Sequence, residues 1–170
     1  MDRGDSDLIP LEEELRFVKD YLDLEKMRLG SRLTIRWLIS PETSQMLVPQ
    51  MILLPLVENA IRYGAASSRE AGWVEVESNP GDGIIKIVVR NSPGAKTSTG
   101  TGVGLQNVEA RLKYLYSGNA TVSLSVAEDR TAAATLALPA LKPQSDPVQR
   151  PYHSKLVLQR RMRYASPHRR

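Results

Sequence analysis

A short loop with glycine at every second position, followed at once by a helical pattern, constrains this chain more than any other feature. The loop reads Gly100-Thr-Gly-Val-Gly-Leu105, and helical spacing continues to Tyr116. Because Gly100, Gly102 and Gly104 have no side chains, their backbone N–H groups can approach an anion closely. The following helix would add its unpaired N–H groups and the positive end of its dipole. The pattern predicts a phosphate-binding loop, and a flexible surface loop is the alternative that the glycines alone leave open.

Two common phosphate-binding loops do not fit this sequence. A P-loop requires a lysine directly after its last glycine, and the residue after Gly104 is a leucine. A dinucleotide fingerprint requires a strand that leads straight into the glycines, whereas residues 93–99 form a polar stretch without strand character. The loop is therefore predicted to be a lid that covers its ligand.

A carboxylate and an amide interrupt an otherwise apolar segment about forty residues earlier. Glu58 and Asn59 lie late in residues 50–63, which predict a buried helix with Pro49 at its start and Pro55 tolerated inside it. Such a pair can be a polar pair satisfied at a helix end. With a phosphate lid downstream, an oxygen-rich Mg²⁺ site is favoured, because Mg²⁺ prefers carboxylate and amide oxygens together with substrate phosphates.

These segments resemble the motifs of a known family. Leu56-Val-Glu-Asn-Ala-Ile-Arg-Tyr-Gly64 resembles the N box of the GHKL ATPases, and residues 100–112 resemble their second glycine box. The flanking segments, residues 11–28 and 48–55, are similar to the LytS-type sensor histidine kinases. The resemblance covers about residues 8 to 139. It implies a two-layer α/β sandwich of GHKL (Bergerat) type, with a mixed, mostly antiparallel sheet and helices on one face.

The resemblance also assigns roles, with ATP and Mg²⁺ as cofactors. Asn59 is similar to the Mg²⁺ ligand of the N box. Glu58 resembles the catalytic acidic residue, which polarises the attacking group or orients metal-bound water. The lid residues that correspond to ATP-binding positions are Gly100, Gly102, Gly104 and Leu105.

The adenine-recognition motif departs from the family pattern. The family has an Asp at the end of a strand, whereas the corresponding stretch here, Val89-Arg-Asn-Ser-Pro-Gly94, has none. Strand alternation places Asn91 on the inward face, so we expect Asn91 at the Asp position and Gly94 beside the nucleotide. The spacing to Pro-Gly leaves Arg90 open as the alternative. An Asn oxygen can accept a hydrogen bond from the adenine amino group, but the bond is not charge-assisted.

The phosphoacceptor motif of LytS-type kinases, a histidine in a P-H-F-L-F-N-like helix, has no counterpart here. The only histidines are His153 and His168, both in a basic segment without matching context. We therefore expect a protein-histidine kinase domain that acts in trans on a phosphoacceptor domain of another chain. A response regulator and a homodimer are the other expected partners. The alternative is a degenerate or anti-sigma-like GHKL nucleotide-binding module without kinase turnover.

The charge of the chain is concentrated at its C-terminal end. Residues 141–170 hold eight basic residues and one acidic residue, so the remainder carries a net charge of −3 although the whole chain is +4. A basic arm can bind nucleic acid or an acidic lipid surface, but a disordered, solvated tail is favoured, and nucleic acid is not expected as a partner. No run of apolar residues reaches membrane-spanning length, and cysteine is absent, so a cytoplasmic location is expected.

The expected domain organisation has three parts. Residues 1–30 form a linker helix that remains from the dimerisation and phosphoacceptor region, residues 31–140 form the ATP-binding catalytic domain, and residues 141–170 form the tail. Within them the periodicity predicts two further elements besides the segments above: a helix over 11–29 with three glutamates favouring its N-terminal end, and a strand over 33–39. Two hairpins are predicted from the strand pairs 73–78 with 84–90 and 120–126 with 132–138.

Overall fold

The computed structural model describes residues 8–68, 70–94 and 103–143, which form three α-helices and seven strands. The first two elements along the chain are a short strand and a long helix. The elements are β1 (Leu8–Pro10), α1 (Leu11–Leu29), β2 (Leu33–Ile39), β3 (Leu47–Pro49), α2 (Leu54–Tyr63), β4 (Gly72–Pro80), β5 (Ile84–Asn91), α3 (Val103–Tyr116), β6 (Thr121–Val126) and β7 (Ala132–Pro139).

Five strands form one mixed sheet in the order β2-β4-β5-β7-β6. The β2–β4 pair is parallel, and the other three pairs are antiparallel. Alternate residues of β4, β5 and β7 face the helices, as the period of two requires, and they form one apolar core with the buried sides of the helices. The sheet residues of this core are Leu33, Val74, Val76, Ile85, Ile87, Val89, Ala134, Leu136 and Leu138.

Helix α1 has the bounds that the sequence predicted, and it packs its apolar stripe into this core. The helix ends at Gly30, whose φ of +62° suits a residue without Cβ. One member of the glutamate cluster differs from expectation, because Glu14 is fully buried instead of lying on the solvated N-terminal turn. The buried apolar residues of α1 are Leu11, Val18, Leu22 and Leu29.

Helix α2 is shorter than predicted. It begins at Leu54 rather than near residue 50, and Pro49 ends strand β3 instead of opening the helix. Residues 50–53 form a turn in which Met51 has a left-handed φ of +59°. Pro55 lies in the first turn of the helix, where backbone N–H groups have no partner within the helix. A proline at this position therefore costs the helix no hydrogen bond, which explains why it is tolerated.

Strand β3 joins the two ends of the described fold. It pairs on one edge with β1, and Leu47 forms a bridge with Leu141 on the other. Leu141 is therefore tied to the fold, and α1 shares the core of the sheet. The domain boundaries predicted at residues 30 and 140 stay predictions, and the tail beyond residue 143 lies outside the described residues.

The face of the sheet that carries no helix is polar. Arg90 forms ion pairs with Glu75, at 3.1 Å, and with Glu77, and the hydrogen bond from Arg90 lowers the pKa of Glu77. The guanidinium of Arg36 lies 5.2 Å from the centre of the Trp73 ring. The sheet therefore has one layer of helices and one solvated charged face. No helix in the described ranges is long and apolar enough to span a membrane.

Candidate functional site

A pocket opens between α2 and the helix-facing side of the sheet. Its walls come from α2, α3 and three strands, and most of the side chains that line it are apolar. Two asparagine amides and a tyrosine provide the polar groups, which is the composition expected of a site for a small ligand with a flat apolar part. The lining residues are Leu56, Asn59, Ala60, Tyr63, Val89, Asn91, Leu105, Leu124, Val126, Ala132 and Ala134.

The structure brings the two predicted asparagines together in this pocket. Asn59 faces it from α2, and Asn91 faces it from the end of β5, where the side chain is only 7% exposed. The Nδ2 of Asn91 donates a hydrogen bond to the carbonyl oxygen of Ser92 at 2.9 Å, which fixes the plane of the amide. Arg90, the alternative at this position, lies on the opposite face of the sheet with Glu75. Of these two alternatives, Asn91 lines the pocket and Arg90 does not.

Glu58 does not line this pocket. It lies in a separate groove between α1 and α2, together with Tyr21, Arg28 and Arg62. Successive residues of an α-helix are rotated by about 100°, so neighbours in sequence face different directions. The groove is polar: Glu58 contributes to raising the pKa of Tyr21, after the larger effect of burial. The catalytic role of Glu58 stays a prediction, and it requires a reacting group on this side of α2.

Gly94 follows β5 at a point where the backbone touches the C-terminal end of α2. A Cβ on Gly94 would lie 1.7 Å from the carbonyl oxygen of Tyr63 and 2.2 Å from the Oγ of Ser67. No side chain fits there, so the glycine is required by space. The carbonyl oxygen of Gly94 accepts a hydrogen bond from Arg130 at 2.7 Å, which links the β6–β7 turn to the same corner of the pocket.

The lid glycines are described only in part. Gly100 and Gly102 lie outside the described residues. Gly104 is in the first turn of α3, where a Cβ would lie 3.7 Å from the Nδ2 of Asn59, in ordinary contact. Leu105 is in the pocket wall. The N-terminus of α3 therefore opens beside Asn59, and the absent Cβ of Gly104 leaves space between the helix and the amide.

Sequence reasoning missed one wall of this site. Leu124 and Val126 on β6 are 44% and 53% exposed, and Ala132 and Ala134 on β7 lie beside them in the wall. The sequence could have predicted this wall, because these residues occupy alternate positions of β6 and β7 and so lie on one face of the sheet. The contact from Arg130 to Gly94 has no local sequence signal, because it joins residues 36 positions apart.

Comparison with known proteins identifies relatives, although no family model matches the chain. Sensor histidine kinase BtsS of Escherichia coli K12 is 29% identical over 136 residues, which are 79% of this chain and 24% of BtsS. Sensor protein LytS of Bacillus cereus is 32% identical over 123 residues, which are 64% of this chain and 21% of LytS. The chain thus spans less than a quarter of the length of these curated relatives.

Solved structures share the fold. The catalytic domain of histidine kinase ThkA aligns with a TM-score of 0.60 at 16% identity, over 80% of this chain and 97% of that domain. Full-length ShkA, solved in complex with AMPPNP, also aligns with a TM-score of 0.60, at 20% identity, over 80% of this chain and 32% of ShkA. The predicted two-layer α/β fold of GHKL type is confirmed, as is the similarity to LytS-type proteins. The chain is therefore similar in sequence to sensor histidine kinases that include LytS, and its fold is that of histidine kinase catalytic domains.

Proposed function

We propose that this domain binds Mg-ATP in the α2–sheet pocket and transfers the γ-phosphoryl group to a histidine of a protein partner. The observation that carries the proposal is the placement of Asn59 and Asn91 in one apolar pocket, with the N-terminus of α3 at its edge. An adenine ring suits the apolar walls, and the helix N-terminus suits phosphate, because its unpaired N–H groups and dipole favour an anion. The relationship to sensor histidine kinases supports the reaction class.

The residues of the pocket divide into an adenine end and a phosphate end. Asn91 would accept a hydrogen bond from the adenine amino group, and Gly94 keeps the adjoining backbone close to α2. Gly100, Gly102, Gly104 and Leu105 would bring the lid and the start of α3 to the phosphates. Asn59 would offer an amide oxygen to Mg²⁺, a fitting ligand for a hard cation whose other ligands are phosphate oxygens and water. Bound Mg²⁺ would neutralise phosphate charge during transfer.

The partners proposed follow from the same reaction. The acceptor histidine would be presented by a phosphoacceptor domain of another chain, whose response regulator would receive the phosphoryl group next, and the domain would work within a homodimer. A cytoplasmic location is proposed because ATP is available there.

A second candidate is a nucleotide-binding interaction module that has no kinase turnover. It is favoured by one observation, the neutral Asn91 where the family has an Asp, because an uncharged acceptor makes a weaker hydrogen bond to adenine. Phosphotransfer to an acceptor, and not ATP binding alone, separates the two candidates.

Asn91→Ala tests the adenine end of the pocket. Titration of the full chain with Mg-ATP should show one site, and the variant should bind about tenfold more weakly because a buried hydrogen bond to the base is lost. Asn79→Ala is the matched control, since Asn79 is exposed on the β4–β5 hairpin and bonds only Glu77 among the described contacts. Equal ATP affinity in Asn91→Ala and wild type would contradict the assignment of the adenine site.

Glu58→Gln tests the catalytic assignment. Radiolabelled ATP should not label the chain alone at histidine, and a separate acceptor-helix fragment of a LytS-type kinase should become labelled. If Glu58 polarises the attacking imidazole, Glu58→Gln should slow labelling by about 100-fold while ATP affinity is unchanged. Glu42→Gln, at an exposed carboxylate, is the control. An unchanged labelling rate would remove Glu58 from the mechanism, and absence of labelling by the wild type would favour the interaction module.

A further inference from the structure

A carboxylate on α1 is buried against the turn that precedes α2. Glu14 is fully buried, and its two oxygens accept hydrogen bonds from the backbone N–H groups of Met51, at 2.7 Å, and Leu53, at 2.9 Å. Burial raises the pKa of Glu14, and the backbone hydrogen bonds from Leu53 and Met51 act in the opposite direction. Removing a carboxylate from water is costly, so such a group is found where it is well hydrogen-bonded. The pocket described above makes no use of it.

The turn that Glu14 binds determines how α2 begins. Met51 has a φ of +59°, a left-handed conformation that a residue with a Cβ adopts only at a cost. Leu53 precedes the helix, and its carbonyl oxygen accepts the hydrogen bonds from the N–H groups of Leu56 and Val57. Glu14 thus accepts hydrogen bonds from the N–H of Met51, which has the strained conformation, and from the N–H of Leu53, which caps the helix.

A second helix holds the same turn from another direction. Arg111 of α3 donates a hydrogen bond to the carbonyl oxygen of Gln50. The turn over residues 50–53 is therefore attached to α1 through Glu14 and to α3 through Arg111. Since α3 begins beside Asn59 and α2 carries Asn59, this turn is the point at which α1 and α3 both attach to the chain that leads into α2.

We propose that Glu14 is a positioning residue for the phosphate end of the nucleotide site, because it holds the turn from which α2 presents Asn59. The inference rests on the proposed binding of Mg-ATP. It assigns to α1 a direct mechanical link to the pocket: a shift of α1 relative to the turn would withdraw the carboxylate, free Met51 to leave its left-handed conformation and reorient the first turn of α2. The adenine end, formed mainly by the sheet, would change less.

Glu14→Gln in the full chain tests this link. The amide has one oxygen instead of two, so it cannot accept from both N–H groups as the carboxylate does. We expect Mg-ATP affinity to fall about tenfold, as for other residues that orient a metal ligand, and ATP affinity measured in EDTA to fall much less. Glu13→Gln, at an exposed carboxylate on the same helix turn, should bind as wild type does. Equal losses with and without Mg²⁺ would indicate a merely structural role and would overturn the inference.

A rescue variant separates positioning from general stability. Met51→Gly adopts the left-handed conformation without a Cβ, so the turn needs less help to keep its shape. Adding Met51→Gly to Glu14→Gln should recover most of the Mg²⁺-dependent affinity, and the same loss in the single and double variants would contradict the proposal. If Glu14→Gln is unfolded, Glu14→Asp keeps the charge but is too short to reach both N–H groups, and wild-type Mg²⁺ dependence in that variant would overturn the inference. Absence of ATP binding by the wild type would instead reject the proposed function.

Discussion

Asn59→Ala should abolish Mg²⁺-dependent ATP binding, with an affinity loss of about 100-fold or more, because it removes the proposed metal ligand. The amide faces the pocket from the middle of α2, and alanine is a better helix former than asparagine. The nucleotide-free protein should therefore keep its melting temperature. The measurement is a calorimetric titration with ATP in Mg²⁺ and again in EDTA, together with a thermal unfolding curve for each protein.

Arg62→Ala is the matched control for Asn59→Ala, since Arg62 is exposed on the same helix and does not line the pocket. It should leave Mg-ATP affinity unchanged. Binding by Asn59→Ala that retains the wild-type dependence on Mg²⁺ would show that the ion is held elsewhere.

Gly94→Ala should damage both the fold and the site. The added Cβ would lie 1.7 Å from the carbonyl oxygen of Tyr63, so the strand end or the end of α2 must move. Overpacking of this kind costs about 1–3 kcal/mol, which corresponds to a melting temperature lower by about 5 °C. Because Tyr63 and Asn91 both line the pocket, ATP affinity should fall about tenfold or more.

Gly104→Ala provides the contrast for Gly94→Ala. Its Cβ would make ordinary contacts at 3.7 Å, and it lies in the first turn of α3, so the melting temperature of the nucleotide-free protein should not fall. If Gly94→Ala has the melting temperature and the ATP affinity of the wild type, the end of β5 and the end of α2 can move apart in solution without cost, and the prediction is contradicted.

The parts of the fold that sequence could predict are those with a local cause. The extent of helix α1, about residues 11 to 29, was predictable because its apolar residues follow a regular helical spacing. Strand alternation placed Asn91 on the inward face correctly. The motif that contains Glu58 and Asn59 predicted one shared site for both residues. In the structure the two side chains face different grooves, because successive residues of a helix point in different directions.

The predicted start of α2, near residue 50, was wrong because the observed start depends on contacts with residues far away in the sequence. The apolar run continues without interruption from Met51 to Leu54, so periodicity extends the helix backward. Glu14, nearly forty residues away, accepts hydrogen bonds from the N–H groups of Met51 and Leu53, and these bonds hold residues 50–53 in a turn instead of a helix. Long-range hydrogen bonds of this kind, like the one from Arg130 to Gly94, become visible only when the chain is folded.

The pairing of β3 on both edges has a consequence for how this unit is carried within a longer chain. Pro10 and Leu141 both pair with Leu47, one on each side, so the two backbones lie about two strand spacings, roughly 10 Å, apart. Leu8, the first residue of β1, is only two residues from Pro10, so the two ends of the described fold lie near each other. A domain whose two ends lie close together can be inserted into a loop of another protein without moving apart the two residues to which it is joined.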